Sequence, residues 1–133
     1  MANVNVTLNS ASLQVLDLTT NLFRVNSVVG TVTLAATSAF YDAYFVPATG
    51  AGTALTLPSA TVWIVWVKNL SVANITVQFQ VTGGVLLTQA NSPILNPGAV
   101  FAYFNASEAA GGIIAVTLAA SAGSSPVEVL LAS

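Results

Sequence analysis

A two-residue alternation of apolar and polar side chains limits the folds open to this chain more than any other feature. The segment ITVQFQV, residues 75–81, has an apolar side chain at every second position and Thr or Gln between them. Successive side chains of a β-strand point to opposite faces, so this segment would have one apolar and one polar face. Because apolar residues do not recur at helical spacing over any long window, the pattern predicts strands.

The same alternation recurs along the chain, with turn-forming residues between the alternating segments. The segment ANVNVTLN has Val4, Val6 and Leu8 on one predicted face. The tripeptide Asn96–Gly98 predicts a β-turn, because proline presets φ and glycine accepts a positive φ. About ten strands, with turns roughly every 8–12 residues, predict an all-β fold, a single-domain antiparallel β-sandwich or jelly roll.

The length of 133 residues suits one domain, so residues 1–133 are predicted to form a single β domain. Within it, residues 1–26 are a candidate for an extended N-terminal arm, or for strands swapped with a neighbouring subunit. Added strands are a common way of covering an exposed sheet edge.

Charged residues are unusually scarce, with two Lys or Arg and four Asp or Glu in the whole chain. Ordinary soluble domains carry roughly 25% charged residues and depend on them for solubility. We therefore expect neighbouring subunits to cover much of the surface; the alternative is a monomer hydrated by amides and hydroxyls. Two cations can neither neutralise a row of phosphates nor attract anionic lipid, so neither nucleic acid nor a membrane is an expected partner.

The segment TVWIVWVKN, residues 61–69, is apolar on both predicted faces as far as Lys68. A strand on the outside of a soluble monomer should have one polar face. The segment therefore predicts a central strand, with the core on one side and a subunit interface or a covering arm on the other. Strand alternation predicts one face with Trp63, Val65 and Val67, and another with Val62, Ile64 and Trp66.

Apolar and aromatic side chains of the predicted strands are the candidates for a subunit interface. Tryptophan in a mid-strand apolar run is more often part of a core or an interface than of a ligand site. The candidate interface residues are Trp63, Trp66, Val65, Val67, Val4, Val6, Leu8, Tyr41 and Tyr44.

The sequence lacks the usual groups for catalysis and metal binding. It contains no histidine and no cysteine, which removes the usual general base and the common nucleophile pairs. The carboxylates Asp17, Asp42, Glu108 and Glu128 stand far apart, and no glycine-rich phosphate motif or clustered calcium loop occurs. We therefore expect no enzyme activity, no cofactor and no bound metal.

Aromatic residues leave carbohydrate binding as an alternative function. The segment FYDAYF, residues 40–45, places the polar groups of Tyr41 and Asp42 beside aromatic rings, as a sugar-stacking surface would. A lectin-like module is therefore the alternative to a structural protein.

The order of motifs from Thr53 to Asn105 resembles that of small all-β domains in tailed-phage virion proteins. The motifs are TALTLPSA, an apolar strand ending in VKN, ANITVQF and ILNPGAVFAYFNA, although FAYFNAS stands where a G-x-W is often found. Such domains occur in capsid decoration (cement) proteins, head fibres and tail-fibre tips.

The resemblance implies a non-enzymatic protein of the virion. The function that it favours is that of a decoration protein, which stabilises the shell by bridging neighbouring subunits. The alternative is a fibre, spike or other capsid component. It also implies a homo-oligomer, with a trimer favoured, and the major capsid protein or another virion protein as partner.

Overall fold

Strands are the main regular structure in the described part of the protein. The structure, a computed structural model, describes residues 52–105 and 110–133 with their side chains, and five strands within residues 4–46 by their backbone pairing. The five strands are β1 (Val4–Leu8), β2 (Ser12–Asp17), β3 (Leu22–Val28), β4 (Val32–Ala36) and β5 (Ala39–Val46). The others are β6 (Thr53–Ala54), β7 (Ile64–Asn69), β8 (Ile75–Val81), β9 (Ile94–Leu95), β10 (Val100–Phe104), β11 (Ile113–Ala120) and β12 (Ser125–Ala132).

Helix is almost absent from the described part of the chain, where one 3-10 turn spans Gln89–Asn91. Within that part, no helix has the length and apolarity needed to cross a membrane. The all-β prediction is therefore confirmed.

Strands β5 to β12 form two four-stranded antiparallel sheets. The first sheet has the strand order β10-β7-β12-β5, and the second has the order β6-β11-β8-β9. Four of the pairings are nested along the chain: β8 pairs with β9, β7 with β10, β6 with β11, and β5 with β12. The pairs of β12 with β7 and of β11 with β8 complete the sheets.

The N-terminal strands form two smaller antiparallel ladders, in which β1 pairs with β4 and β2 pairs with β3. Strands β1 and β2, which lie within residues 1–26, thus pair with later strands of the same chain. The arm or strand-swapping hypothesis for residues 1–26 stays a prediction, as does the single domain.

Buried side chains of both sheets form one hydrophobic cluster between them. On β8, Ile75 and Val77 are fully buried, and Phe79 and Val81 pack against the same cluster, so the predicted apolar face of this strand is confirmed. The cluster also includes Val65, Val67, Val127, Val129 and Leu131 of the first sheet, and Val116 and Leu118 of the second.

The opposite face of β8 is covered in part by the loop that follows the strand. Gln78 is only 7% exposed, and its Nε2 donates a hydrogen bond of 2.8 Å to the carbonyl oxygen of Leu87. The Leu87 amide in turn donates to the carbonyl oxygen of Phe79 at 3.2 Å. Residues 82–93 are therefore tied back onto the second sheet.

A bend at Trp63 changes the predicted faces at the start of the TVWIVWVKN segment. Strand β7 begins at Ile64, while Val62 forms an isolated bridge to Ile113 and is buried in the same cluster as Val65. Trp63 packs instead against the small cluster that contains Ile64. The prediction that Trp63 shares a face with Val65, and Val62 with Ile64, is wrong because strand alternation does not extend through the bend. From Ile64 onwards, the alternation is as predicted.

Asn69, at the end of β7, holds three segments together from a fully buried position. Its Nδ2 donates hydrogen bonds to the carbonyl oxygens of Ala73, at 2.7 Å, and Leu95, at 2.9 Å. Its Oδ1 accepts hydrogen bonds from the backbone N–H and the hydroxyl of Ser71, at 2.9 and 2.7 Å. This side chain therefore links β7 to the β7–β8 loop and to β9.

The predicted turn at Asn96–Gly98 is confirmed. The Ala99 amide donates to the carbonyl oxygen of Asn96 at 2.9 Å, and Gly98 has a φ of 79°. The Gly98 amide also donates to the carbonyl oxygen of Asn69 at 3.0 Å, so this turn is fixed to the end of β7.

We expect Asn69→Ala to lower the free energy of unfolding by about 2–4 kcal/mol, because it leaves buried backbone groups without their partners. Urea denaturation followed by circular dichroism measures the change. Asn74→Ala is the matched control, because Asn74 is exposed in the same loop. Equal stabilities of the two variants would contradict the role assigned to Asn69.

Candidate functional site

The candidate site is the surface of the first sheet that points away from the core. Residues that lie opposite each other on antiparallel strands share a face, so the register of β10, β7 and β12 defines three rows across it. We call these nine residues the outer face: Val100, Lys68 and Glu128; Ala102, Trp66 and Leu130; Phe104, Ile64 and Ala132.

The outer face is apolar except for one row. Lys68 and Glu128 lie opposite each other in the register, so its two charged residues are neighbours at one end. Val100 is 46% exposed, Ala102 is also exposed and Trp66 is half-buried, whereas the β7 and β12 residues of the third row are buried. The solvated face of an antiparallel sheet is normally polar, so this surface is suited to contact with another apolar surface.

The structure separates the predicted interface residues of β7. Val65 and Val67 are fully buried in the cluster between the sheets, so their side chains contact the protein's own core. Trp66 lies in the middle row of the outer face, and Trp63 packs beside Phe104 against the small cluster at its end. Trp63 and Trp66 are both half-buried.

The remaining interface candidates lie on strands described by their backbone pairing alone. Tyr41 is opposite Leu130 in the register of β5 and β12, and Tyr44 is opposite Val127. In β1, the candidates Val4, Val6 and Leu8 are opposite residues of β4. The side chains of these five residues lie outside the described residues, and their interface role stays a prediction.

Sequence reasoning missed Val100, Ala102 and Leu130 as parts of the candidate surface. A local signal was present, because the segment AVFAYF has apolar residues at consecutive positions, as TVWIVWVKN does. A strand with two apolar faces has one face left over after the core is filled. The pairing of β10 with β7 decides which residues lie beside Trp66, and that information is not local.

Glycine at position 112 makes room for the Trp63 ring. A Cβ placed on Gly112 would lie 2.2 Å from Cγ2 of Thr61 and 2.9 Å from Cζ3 of Trp63. Nearby, the Tyr103 hydroxyl donates a hydrogen bond to the carbonyl oxygen of Gly111. These contacts fix the start of β11 against the tryptophan at the end of the outer face.

Within residues 52–105 and 110–133, the side chains offer little for catalysis. The ionisable side chains there are those of Lys68, Tyr103 and Glu128. No group of three or more His, Cys, Asp or Glu residues that could hold a metal ion occurs in the described part of the chain. The carboxylates Asp17, Asp42 and Glu108 lie outside the residues whose side chains are described.

An open depression of about 660 Å³ lies between the β7–β8 and β11–β12 loops. It is lined by hydroxyls and small apolar groups, and its serines serve the protein's own loops. The Ser71 hydroxyl donates to Oδ1 of Asn69, and the Ser121 hydroxyl accepts a hydrogen bond from the Asn74 amide at 3.0 Å. Neither serine has an ionisable residue among the residues lining this depression, so the depression lacks an activated nucleophile.

We expect Gly112→Ala to lower the free energy of unfolding by about 1–3 kcal/mol, because the added methyl group displaces Thr61 and the Trp63 ring. In a Trp66→Phe background, where Trp63 is the remaining indole, its fluorescence emission should shift as well. Gly98→Ala is the control for the emission, because no atom beyond the adjoining residues lies within 4 Å of the added Cβ, although the positive φ of 79° makes this variant less stable as well. An unshifted emission maximum in Gly112→Ala would contradict the packing described for Trp63.

Comparison of the chain with protein-family models, with curated proteins and with solved structures finds no match. The candidate site is therefore defined by its own geometry: an apolar, partly exposed sheet face with a single row that contains charge.

Proposed function

We propose that the chain is a non-enzymatic structural protein of a virion, a capsid decoration (cement) protein that stabilises the shell by bridging neighbouring subunits. The observation that carries the proposal is the outer face, where the half-buried Trp66 lies between the apolar residues Ala102 and Leu130. A cement protein acts by contact alone, so it needs apolar area that matches a partner and no catalytic groups. Tryptophan at the centre of such an area is a frequent source of binding energy.

We further propose that strands β5 to β12 form a β-sandwich of the jelly-roll type. Its support is the nested pairing of these eight strands and the apolar cluster shared by the two sheets. Along the chain, each strand alternates between the sheets, except that β8 and β9 follow one another in the second sheet. Two four-stranded sheets connected in this way are typical of viral capsid domains and of some lectins.

The proposed mechanism is stabilisation by linkage. A protein that binds the assembled shell, and not the free shell subunits, shifts the equilibrium towards the assembled state. Its contact through the outer face would be mainly apolar, because Lys68 and Glu128 are the charged residues of that face. Binding of this kind depends only weakly on ionic strength, in contrast to binding through charged patches.

A fibre, spike or other capsid component would use the same apolar surface with a different virion partner. A carbohydrate-binding module is the second candidate function. It is favoured by the jelly-roll arrangement, which lectins share, and by the half-buried Trp66 on the outer face.

We expect the purified protein to bind undecorated capsid shells until it saturates at a fixed number of copies per capsomer. Trp66→Ala should weaken this binding by about tenfold or more, because the central indole is lost. Thr76→Ala, on the second sheet, is the control and should bind like the wild type. Raising the salt concentration from about 0.1 to 0.5 M should change the affinity by less than about threefold.

Two results would contradict the cement function. The first is the absence of saturable uptake on any shell tested. The second is binding on a glycan array that Trp66→Ala abolishes, which would support the lectin-like module instead.

A further inference from the structure

Among the strands that the structure describes, β10 is an open edge of the first sheet. It stands last in the strand order, and its partner within the described part of the chain is β7. The backbone N–H of Asn69 donates a hydrogen bond to the carbonyl oxygen of Ala99, and the backbone N–H of Asn105 donates to that of Trp63. The backbone groups of the odd-numbered residues 99–105 therefore point towards β7. In an antiparallel ladder the bonding direction alternates, so the N–H and C=O groups of the even-numbered residues point away from β7. These residues are Val100, Ala102 and Phe104.

The open edge carries none of the features that usually prevent strand pairing. Such features are charged residues, proline and β-bulges. The strand reads VFAYF, and its register with β7 runs from Val100 to Phe104 without a shift. Val100 and Ala102 are exposed, so the strand is accessible from the outer face.

We propose that β10 pairs antiparallel with β10 of a second copy of the chain, about a two-fold axis that passes through Ala102. The strand is nearly symmetric about Ala102, since an aromatic residue stands on either side and Val100 and Phe104 follow at the ends. A two-fold interface requires such self-complementarity, because each residue meets its counterpart across the axis. In this register Ala102 lies opposite Ala102, Val100 opposite Phe104, and Phe101 opposite Tyr103.

The proposed pairing gives hydrogen-bond partners to the N–H and C=O groups of β10 that point away from β7, and it brings no like charges together. It adds about six backbone hydrogen bonds between the copies, two for each of the three outward-pointing positions and their counterparts. The row that contains Lys68 and Val100 continues into Phe104 and Ile64 of the second copy, which are apolar. The charged row of each copy therefore lies at the opposite end of the joined face.

The same register places the small Ala102 pair between the two Trp66 residues, since Ala102 is opposite Trp66 in each copy. The outer faces of the two copies then form one continuous apolar surface across an eight-stranded sheet. A second copy is the fitting occupant, because an uncharged, nearly symmetric strand matches its own sequence. The result is a two-fold pair, in contrast to the trimer that the phage resemblance favours.

A charge-exchange experiment at Ala102 tests both the pairing and its register. Wild-type protein should sediment as a dimer that dissociates on dilution, whereas Ala102→Lys and Ala102→Glu should each weaken dimerisation by at least about tenfold, because like charges meet at the axis. Mixing the two variants should restore the dimer, since opposite charges then lie opposite each other. Val72→Lys adds the same charge at a loop position that is 97% exposed, and it should remain dimeric.

Two sedimentation results would overturn the proposal: a wild-type chain that is monomeric at high concentration, or Ala102 variants that remain dimeric by themselves. Failure of the mixed variants to associate would overturn the register.

Amide hydrogen exchange gives a second test that needs no variant. The amides of Ala102 and Phe104 should be protected at high protein concentration and should exchange rapidly after dilution. Those of Phe101 and Tyr103, which bond to β7, should stay protected at both concentrations. Rapid exchange at Ala102 at every concentration would overturn the pairing, even if an Ala102 variant failed to fold.

This inference does not depend on the virion role. Wild-type protein that stays monomeric at high concentration but saturates capsid shells would leave the cement function standing and contradict the β10 pairing. Wild-type dimers that bind no shell would leave the β10 pairing standing and contradict the cement function.

Discussion

The structure depends on the burial of one apolar face of each four-stranded sheet against the other. Val65 and Val67 of the first sheet join Val77 and Leu118 of the second in a single cluster. A fully buried aliphatic side chain contributes about 1.5–3 kcal/mol relative to an exposed one. The chain has no cysteine and therefore no disulfide, so packing and the backbone ladders hold the sheets in place.

Neutral hydrogen bonds hold loops against the sheets, a role that ion pairs often have in more charged proteins. Asparagine and glutamine side chains donate to backbone carbonyl groups of nearby loops, and these contacts need no ionised partner. Buried amides are stabilising only when their groups are paired, and the arrangement around Asn69 meets that condition. The amide-to-carbonyl contacts are Asn69 with Ala73 and Leu95, Gln78 with Leu87, Gln80 with Gly84, and Asn105 with Ala110.

The scarcity of charge and the double-faced strands have a common consequence for function. Once Val65 and Val67 fill the core, the other face of β7 still presents Trp66 to the outside. Burial of that face by another protein would remove further apolar surface from water, and this supports the proposed assembly role. The proposed pairing of β10 and the proposed contact with a shell use different groups, since the first uses backbone edges and the second uses side chains.

Local sequence patterns determined the strand content, the buried face of β8 and the turn at Asn96–Gly98, because alternation and turn chemistry act within a few residues. They could not decide which apolar face of β7 enters the core, since Ile64 and Trp66 make one face apolar and Val65 and Val67 the other. Tertiary structure decided that choice, together with the bend at Trp63 and the position of Ala102 beside Trp66. Each of these depends on pairing between segments that are distant along the chain. Alternation of apolar and polar residues does not indicate which strands pair with each other.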